Sequence, residues 1–194
     1  MYARKGSTLK VVLTLTAIAL VICFGIGGTI AWLMAKTDPI TNTFTTSGLS
    51  IQLTETVPTN KTAKMVPGEV IPKDPSVTVF AKSENCYVFV QIVKDNGFDS
   101  FMTFSVAQGW EPIADGSNVY YRTVTYSETD NQNFPILDGN QVIVSTDVTK
   151  EDMADLTTDD LPTLSFTAYA IQSANLGEKT IAQIWEMAKG NATT

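Results

Sequence analysis

The sequence predicts an all-β fold, an antiparallel β-sandwich of jelly-roll type with one or two short peripheral helices and an N-terminal signal helix. Apolar and polar residues alternate with period two in several segments, which is typical of strands with one buried face. Residues 86–93 form an almost unbroken apolar and aromatic run, long enough for a buried central strand. Asn-Gly and Asp-Gly pairs, which tolerate the positive φ of tight turns, separate these segments.

The first 31 residues are predicted to be a secretory signal peptide. Three basic residues lie within the first ten positions, and residues 11–35 then carry no charge over 25 residues. Small residues follow the apolar stretch, with Thr29 and Ala31 at the −3 and −1 positions of a signal-peptidase site. The sequence therefore places the cleavage between Ala31 and Trp32, which predicts a secreted chain that contacts the membrane only transiently.

A retained membrane anchor is the alternative interpretation of this segment. As a helix, 25 uncharged residues can span the roughly 30 Å of a bilayer core. Gly27 and Gly28 fall where a span needs strongly apolar residues, and three threonines dilute the stretch further, which favours cleavage. Because cleavage removes three basic residues and no acidic ones, it changes the net charge from -7 to -10.

Strand signals fill residues 48–194, which are predicted to form one β-sandwich domain. Residues 49–53 and 77–79 alternate strictly, and the apolar run at 86–93 follows them. Four later segments have the same character: residues 101–106, 119–126, 141–145 and 163–171. Turn pairs fall between these segments at Asn96-Gly97, Asp115-Gly116 and Asp138-Gly139. Strands at this spacing predict a sandwich.

Two short helices are predicted at the periphery, at residues 150–156 and 178–189. In the second helix, apolar residues recur at helical spacing at Ile181, Ile184, Trp185 and Ala188. This stripe is expected to pack against the sheet. Trp185 is therefore predicted to be a core residue rather than a platform for a ligand.

Composition excludes most enzyme chemistries. The chain has no histidine, which removes Ser-His-Asp and Cys-His catalysis and His-ligated zinc. One of the two cysteines lies in the signal segment, so Cys86 is left without an intrachain partner and is predicted to be an inert, buried strand residue. No phosphate-binding, dinucleotide or nucleophile-elbow motif is present. We predict a protein that is not an enzyme, and its negative charge argues against nucleic acid as a partner.

The sequence offers candidate residues for two kinds of binding site, a cation site and an aromatic face. The acidic loops hold Glu128, Asp130 and Asn133 in one group and Glu151, Asp152, Asp155, Asp159 and Asp160 in the other. Neither follows the spacing of a calcium loop, so no cofactor is predicted and calcium stays a weak alternative. The aromatic residues Trp110, Tyr120, Tyr121 and Tyr126 are candidates for a sugar-binding or protein-binding face. Because neighbours in a strand point to opposite faces, Tyr120 and Tyr121 cannot both belong to it.

Four segments in a fixed order resemble the TasA/camelysin family of Firmicutes. The first, residues 27–32 (GGTIAW), is similar to the region cut by the SipW-type signal peptidase, and the second, residues 42–53 (NTFTTSGLSIQL), is similar to the first mature strand. The third combines residues 66–73 (VPGEVIPK) and 87–90 (YVFV), which are similar to a turn and the strand after it. The fourth, residues 166–172 (FTAYAIQ), is similar to a closing strand, which is followed by a helix that carries Trp185. The family often has an Asn-x-Gly corner where this chain has residues 82–86 (KSENC), so that corner is expected to differ.

The resemblance implies a secreted jelly-roll protein of the cell surface or biofilm matrix. Relatives polymerise into extracellular fibres, in which an N-terminal segment of one subunit completes the sheet of the next. The partner is then another copy of the chain or a related matrix subunit. In this chain the corresponding extended segment is residues 32–47, which would serve as the donor strand. Its candidate anchors are Trp32, Leu33, Met34, Ile40 and Phe44.

Two other classes of function remain open beside the structural one. The first is a non-enzymatic surface module that recognises a glycan or a host protein through an aromatic face. The second is a hydrolase that uses a pair of carboxylates, for which the sequence offers no specific spacing. Camelysin relatives have also been described as metalloproteases, but a chain without histidine or an HExxH motif lacks the ligands that zinc prefers.

The cleavage site is directly testable. If the signal peptide is removed after Ala31, N-terminal sequencing of the secreted protein should begin at Trp32. A start at Met1 in a membrane-bound fraction would instead indicate the retained anchor.

Overall fold

The computed structural model describes residues 43–46, 48–56, 66–95, 97–154, 156 and 161–191. Throughout this part of the chain the strands pair antiparallel, and the helices are short, which confirms the predicted all-β sandwich. The strands are β1 (Thr43–Thr46), β2 (Leu49–Thr54), β3 (Val70–Pro72), β4 (Ser76–Val79), β5 (Cys86–Asp95), β6 (Met102–Thr103), β7 (Glu111–Pro112), β8 (Val119–Val124), β9 (Gln132–Pro135), β10 (Gln141–Val144) and β11 (Thr163–Gln172). The helices are α1 (Phe98–Phe101), α2 (Lys150–Ala154) and α3 (Ile181–Asn191), with a 3₁₀ turn at Asp138–Asn140.

The strands form three sheets around a shared core. Their orders are β11-β5-β8-β7, β1-β2-β4-β9 and β3-β10-β6. The longest ladder joins β5 to β11, from Cys86 opposite Gln172 to Asp95 opposite Thr163. Side chains from all three sheets meet in one apolar core, for example Val90, Ile51 and Val142, so the first sheet packs against the other two.

β5 is buried on both of its faces, as its apolar run predicts. Val88, Val90 and Ile92 point into the main core, while Phe89 points to the opposite face, into a second core beneath α3. The Phe89 and Trp185 ring centroids lie 5.5 Å apart there. Trp185 is 6% exposed, which confirms that it is a core residue.

The two longer helices begin at capping boxes, in which a threonine and a side chain three residues later satisfy each other's backbone N–H groups. Before α3, the Gln183 N–H donates to Thr180 Oγ1 at 3.3 Å and the Thr180 N–H donates to Gln183 Oε1 at 3.0 Å. Thr149 and Asp152 make the same exchange before α2. The cap at Thr180 explains why α3 starts later than the sequence pattern predicts.

The strand predicted at residues 101–106 is mostly wrong. Only Met102 and Thr103 form a strand there, because α1 occupies the preceding turn and ends at Phe101. Gly97, at φ 67°, starts that turn, and Phe98 anchors it in the core with its ring centroid 5.9 Å from that of Phe104. Packing of the aromatic residues thus overrides the strand propensity of the segment.

Three short strands are not predicted by the sequence pattern, and they share one reason. β3, β7 and β9 each end in a proline, at Pro72, Pro112 and Pro135, and proline counts against a strand in sequence-based reading. All three lie at the edge of their sheet. An edge is where proline is tolerated, because an outward-facing N–H is not needed for the ladder. β1 also lies at an edge, within the segment predicted to be extended.

Burial makes the Cys86 thiol unreactive. The residue is fully buried, and desolvation raises its pKa to about 12 from 9.0. In the form that begins at Trp32, which has no other cysteine, a thiol reagent at pH 8 should label the native protein at least about a hundredfold more slowly than the unfolded chain. The thiol contributes stability that is fully present below about pH 9 and is lost as the pH rises towards 12.

Urea unfolding from pH 8 to 11 measures this loss. Cys86→Ala supplies the control, because without the thiol its part of the alkaline decline in the free energy of unfolding should disappear. Rapid labelling of the native protein would contradict the buried placement.

Candidate functional site

The candidate site is the edge where the N-terminal segment enters the second sheet. β1 pairs with β2 from Thr43 opposite Gln52 to Thr46 opposite Leu49. The paired ends Thr46 and Leu49 are separated by two residues in the sequence, and the second of these, Gly48, has a φ of 92°. The hairpin therefore has a two-residue loop, the tightest common connection between antiparallel strands.

The hydrogen-bonding direction along this ladder follows from the neighbouring strand. The Phe80 N–H donates to the Ser50 carbonyl at 3.0 Å, so the backbone of Ser50 faces β4. Because backbone groups alternate in direction along a strand, those of Leu49 and Ile51 face β1. The N–H groups of residues 44 and 46 then point into the ladder, and those of residues 43 and 45 point outward from the sheet edge.

The turn fits closely against the rest of the sandwich. The Glu84 N–H donates to the Gly48 carbonyl at 2.7 Å. A Cβ at position 48 would lie 3.1 Å from Gln172 Nε2 and 3.2 Å from Glu84 Cγ. The positive φ and this close approach together favour glycine at the turn.

β2, the strand that receives β1, is held firmly at its far end. Lys73 Nζ lies 2.9 Å from Glu55 Oε1, with side chains only 12% and 13% exposed. The same ammonium stands 5.5 Å from the centre of the Phe166 ring in β11. The Thr56 N–H donates to Asp74 Oδ1 at 3.0 Å. These contacts tie the end of β2 to the residues after β3 and to the opposite sheet.

Four residues of the predicted donor segment, 43–46, lie within the described part of the chain, and they include one of the five candidate anchors. Phe44 is in β1, opposite Ile51. The predicted cleavage residues Ala31 and Trp32 and the anchors Leu33, Met34 and Ile40 lie outside it. The sheet thus extends into the segment that the sequence assigns to residues 32–47, ahead of the expected start of the domain at residue 48.

The four candidate aromatic residues do not form one face. Trp110 is buried, and its Nε1–H donates to the Pro135 carbonyl at 2.9 Å. Tyr120 packs against the main core and Tyr121 against the second core, which confirms that they point to opposite faces. Tyr126 is 46% exposed, and its hydroxyl donates to Glu128 at 2.6 Å. These four residues therefore do not make up the candidate aromatic face, because folding directs them to different places.

Trp110 instead takes part in a cation–π stack. The Arg122 guanidinium lies 4.0 Å from the centre of the Phe134 ring and 5.1 Å from that of Trp110. Desolvation in this setting lowers the pKa of Arg122. A Cβ at Gly109 would come within 2.7 Å of Arg122 Nη2, so this glycine leaves room for the stack.

The acidic loops contact their own neighbours. Asn133 Oδ1 accepts hydrogen bonds from the Ser76 hydroxyl at 2.8 Å and the Thr78 hydroxyl at 3.0 Å. Hydrogen bonds from Thr149 lower the pKa of Asp152. Among the residues that the structure describes, no group of three or more Asp, Glu, Cys or His side chains is placed to hold a metal ion. Asp155, Asp159 and Asp160 lie outside those residues.

A groove of about 580 Å³ opens beside β5 and β8 and was not predicted from the sequence. Ile92 and Tyr120 line it from the two strands, and Asn118 lines it from the turn before β8. Lys94, near the end of β5, also lines it, and its Nζ lies 2.8 Å from Asp99 Oδ1. These residues come from two stretches, around 92–106 and 116–120, and follow no motif, so the fold brings the two stretches together.

Comparison with protein-family models, with curated proteins and with solved structures finds no match for this chain. Within the described ranges, no helix has both the length and the apolar character needed to cross a membrane.

The turn at Gly48 can be tested against a matched glycine. Gly116 also has a positive φ, at 71°, but no heavy atom lies within 4 Å of a Cβ built there. Gly116→Ala should therefore cost only the backbone strain, about 1 kcal/mol. Gly48→Ala should cost more, because Gln172 and Glu84 must also move. Urea unfolding of both variants measures the difference, and equal losses would show that the turn is not crowded.

Proposed function

We propose that this chain is a secreted structural protein of the cell surface or biofilm matrix, whose copies assemble into fibres by β-strand complementation. In such a fibre, the N-terminal strand of one copy pairs with β2 of the next. The observation that carries the proposal is the position of β1. It is an edge strand at the start of the sheet, and it follows directly on the segment with the candidate anchors.

β1 differs from three other short edge strands, β3, β7 and β9, in how its edge is protected; the remaining one, β6, has only two residues. β3, β7 and β9 each carry a proline, which limits pairing with a further strand. β1 has the sequence TFTT, without proline or charge. An uncharged edge strand of threonine and phenylalanine is suited to pair with another copy.

Exchange of this strand conserves most of its interactions. The ladder from Thr43 to Thr46 has the same hydrogen bonds whether β1 comes from the same chain or from a neighbour. Only the two-residue turn must open, and short hinge loops are known to favour exchange. Ile51, opposite position 44, is fully buried, so an apolar residue such as Phe44 is expected there in a donor strand.

Two proline substitutions in β1 distinguish strand exchange from simple stacking of edges. Thr46→Pro removes an N–H that points into the ladder, so it should weaken pairing with β2 and abolish filaments in negative-stain electron microscopy. Thr45→Pro removes an N–H that points outward and should leave filaments intact. The two variants have the same change in composition, so each is the control for the other.

The opposite pattern would contradict strand exchange. If Thr45→Pro blocks filaments and Thr46→Pro does not, copies join through the outward edge of β1. Protection of the Cys86 thiol in each variant shows that the sandwich is folded. Deleting residues 32–43 is the coarser form of the test: it removes most of the anchors and should also abolish filaments, and normal filaments after this deletion would refute the proposal.

A further inference from the structure

The groove beside β5 and β8 has the form of a small-ligand site. Its volume of about 580 Å³ falls within the range of roughly 300–1,000 Å³ for such sites. The two strands are joined at its base, where the Ile92 N–H donates to the Asn118 carbonyl at 2.8 Å. Ile92 is 1% exposed, so the base belongs to the main core. The groove is therefore built on rigid strands on one side.

The charges that line the groove cancel. Among the described residues that line it, Lys94 and Asp99 are the only ionic ones, and they pair with each other at 2.8 Å and 3.1 Å. Lys94 also stands 5.5 Å from the centre of the Phe104 ring, which lines the groove as well. An anion would have to compete with Asp99 for the ammonium, and a cation would have to compete with Lys94 for the carboxylate. A neutral ligand meets neither obstacle.

The remaining lining combines aromatic and polar groups. Tyr120 and Phe104 provide ring surface, while Asn118, Ser105 and the Asp99 carboxylate provide hydrogen-bonding atoms. A lipid or another purely apolar ligand would take these polar groups out of water without offering them a hydrogen bond. A sugar ring presents an apolar face of C–H groups and a rim of hydroxyl groups, which matches both parts of the lining.

From this arrangement we infer that the groove binds a neutral oligosaccharide. Tyr120 is the platform for one sugar ring, and Asn118 and Asp99 bind its hydroxyl groups. Lys94 is a positioning residue, because it holds the Asp99 carboxylate at the wall. None of the described residues that line the groove belongs to β2, the strand that receives β1.

The test is a titration of the mature protein followed by amide chemical shifts in NMR. The probes are neutral tetrasaccharides of glucose, of galactose and of N-acetylglucosamine, with tetragalacturonate as the anionic counterpart. At least one neutral probe at millimolar concentration should shift the amides of Ile92, Asn118 and Tyr120. If none of them does, or if tetragalacturonate binds more tightly than every neutral probe, the inference is overturned.

The variants Asp99→Asn and Asp147→Asn form a matched pair. Both residues are exposed aspartates, but Asp147 lies outside the groove. Asp99→Asn removes the carboxylate that binds the sugar hydroxyl groups, so the neutral probe should bind about tenfold more weakly. It also removes the carboxylate that pairs with Lys94, so tetragalacturonate should bind more tightly. Asp147→Asn should change neither affinity. An equal effect of both substitutions would show that the groove is not the site.

Asn118→Ala tests the amide directly. It should weaken the neutral probe by about fivefold without improving the binding of tetragalacturonate. Unchanged affinity for the neutral probe in this variant would overturn the role assigned to Asn118. Thiol protection at Cys86 shows that each variant is folded.

Discussion

Burial of β5 on both faces is the constraint on which the rest of the structure depends. One face of the strand requires the other two sheets, and the other face requires α3, because neither set of side chains can be left in water. The full-length ladder with β11 keeps the second core in register, since it sets Tyr169 beside Phe89 and both beside Trp185. A shift of one residue in this ladder would turn the apolar residues of β11 to the wrong face.

This constraint also explains what could be predicted from the sequence. The central strand and its partner β11 are long, and their periodic or continuous apolar patterns are strong signals, as is the stripe on α3. The short edge strands have no such signal. β3, β7 and β9 contain few residues and end in proline, and their pairing is decided by the strands they border rather than by their own composition. The segment at residues 101–106 shows the reverse case, a strand-like composition bent into a turn by the packing of Phe98.

The candidate sites depend even more on tertiary structure. Tyr120 and Trp110 are recognisable in the sequence as aromatic residues of interest, but the pleat of β8 and the cation–π stack with Arg122 direct them to different places. The ion pair of Lys94 and Asp99 joins the end of a strand to the short helix that follows it, and no rule of sequence spacing predicts this pair. By contrast, strand β2 is predictable from the alternation of its own residues, because a hairpin depends on a local pattern and a tight turn.

The assembly edge and the groove lie on different strands, and this separation has a physical consequence if both proposals hold. The edge uses the backbone of β1 and β2, whereas the groove is lined by residues of β5, β8 and the chain around β6. Pairing at the edge then uses none of the described residues that line the groove. A fibre would present one groove per subunit, and a polysaccharide with repeating units could occupy several at once. Weak binding at each groove would add up to firm attachment through effective concentration, without any new contact within a single subunit.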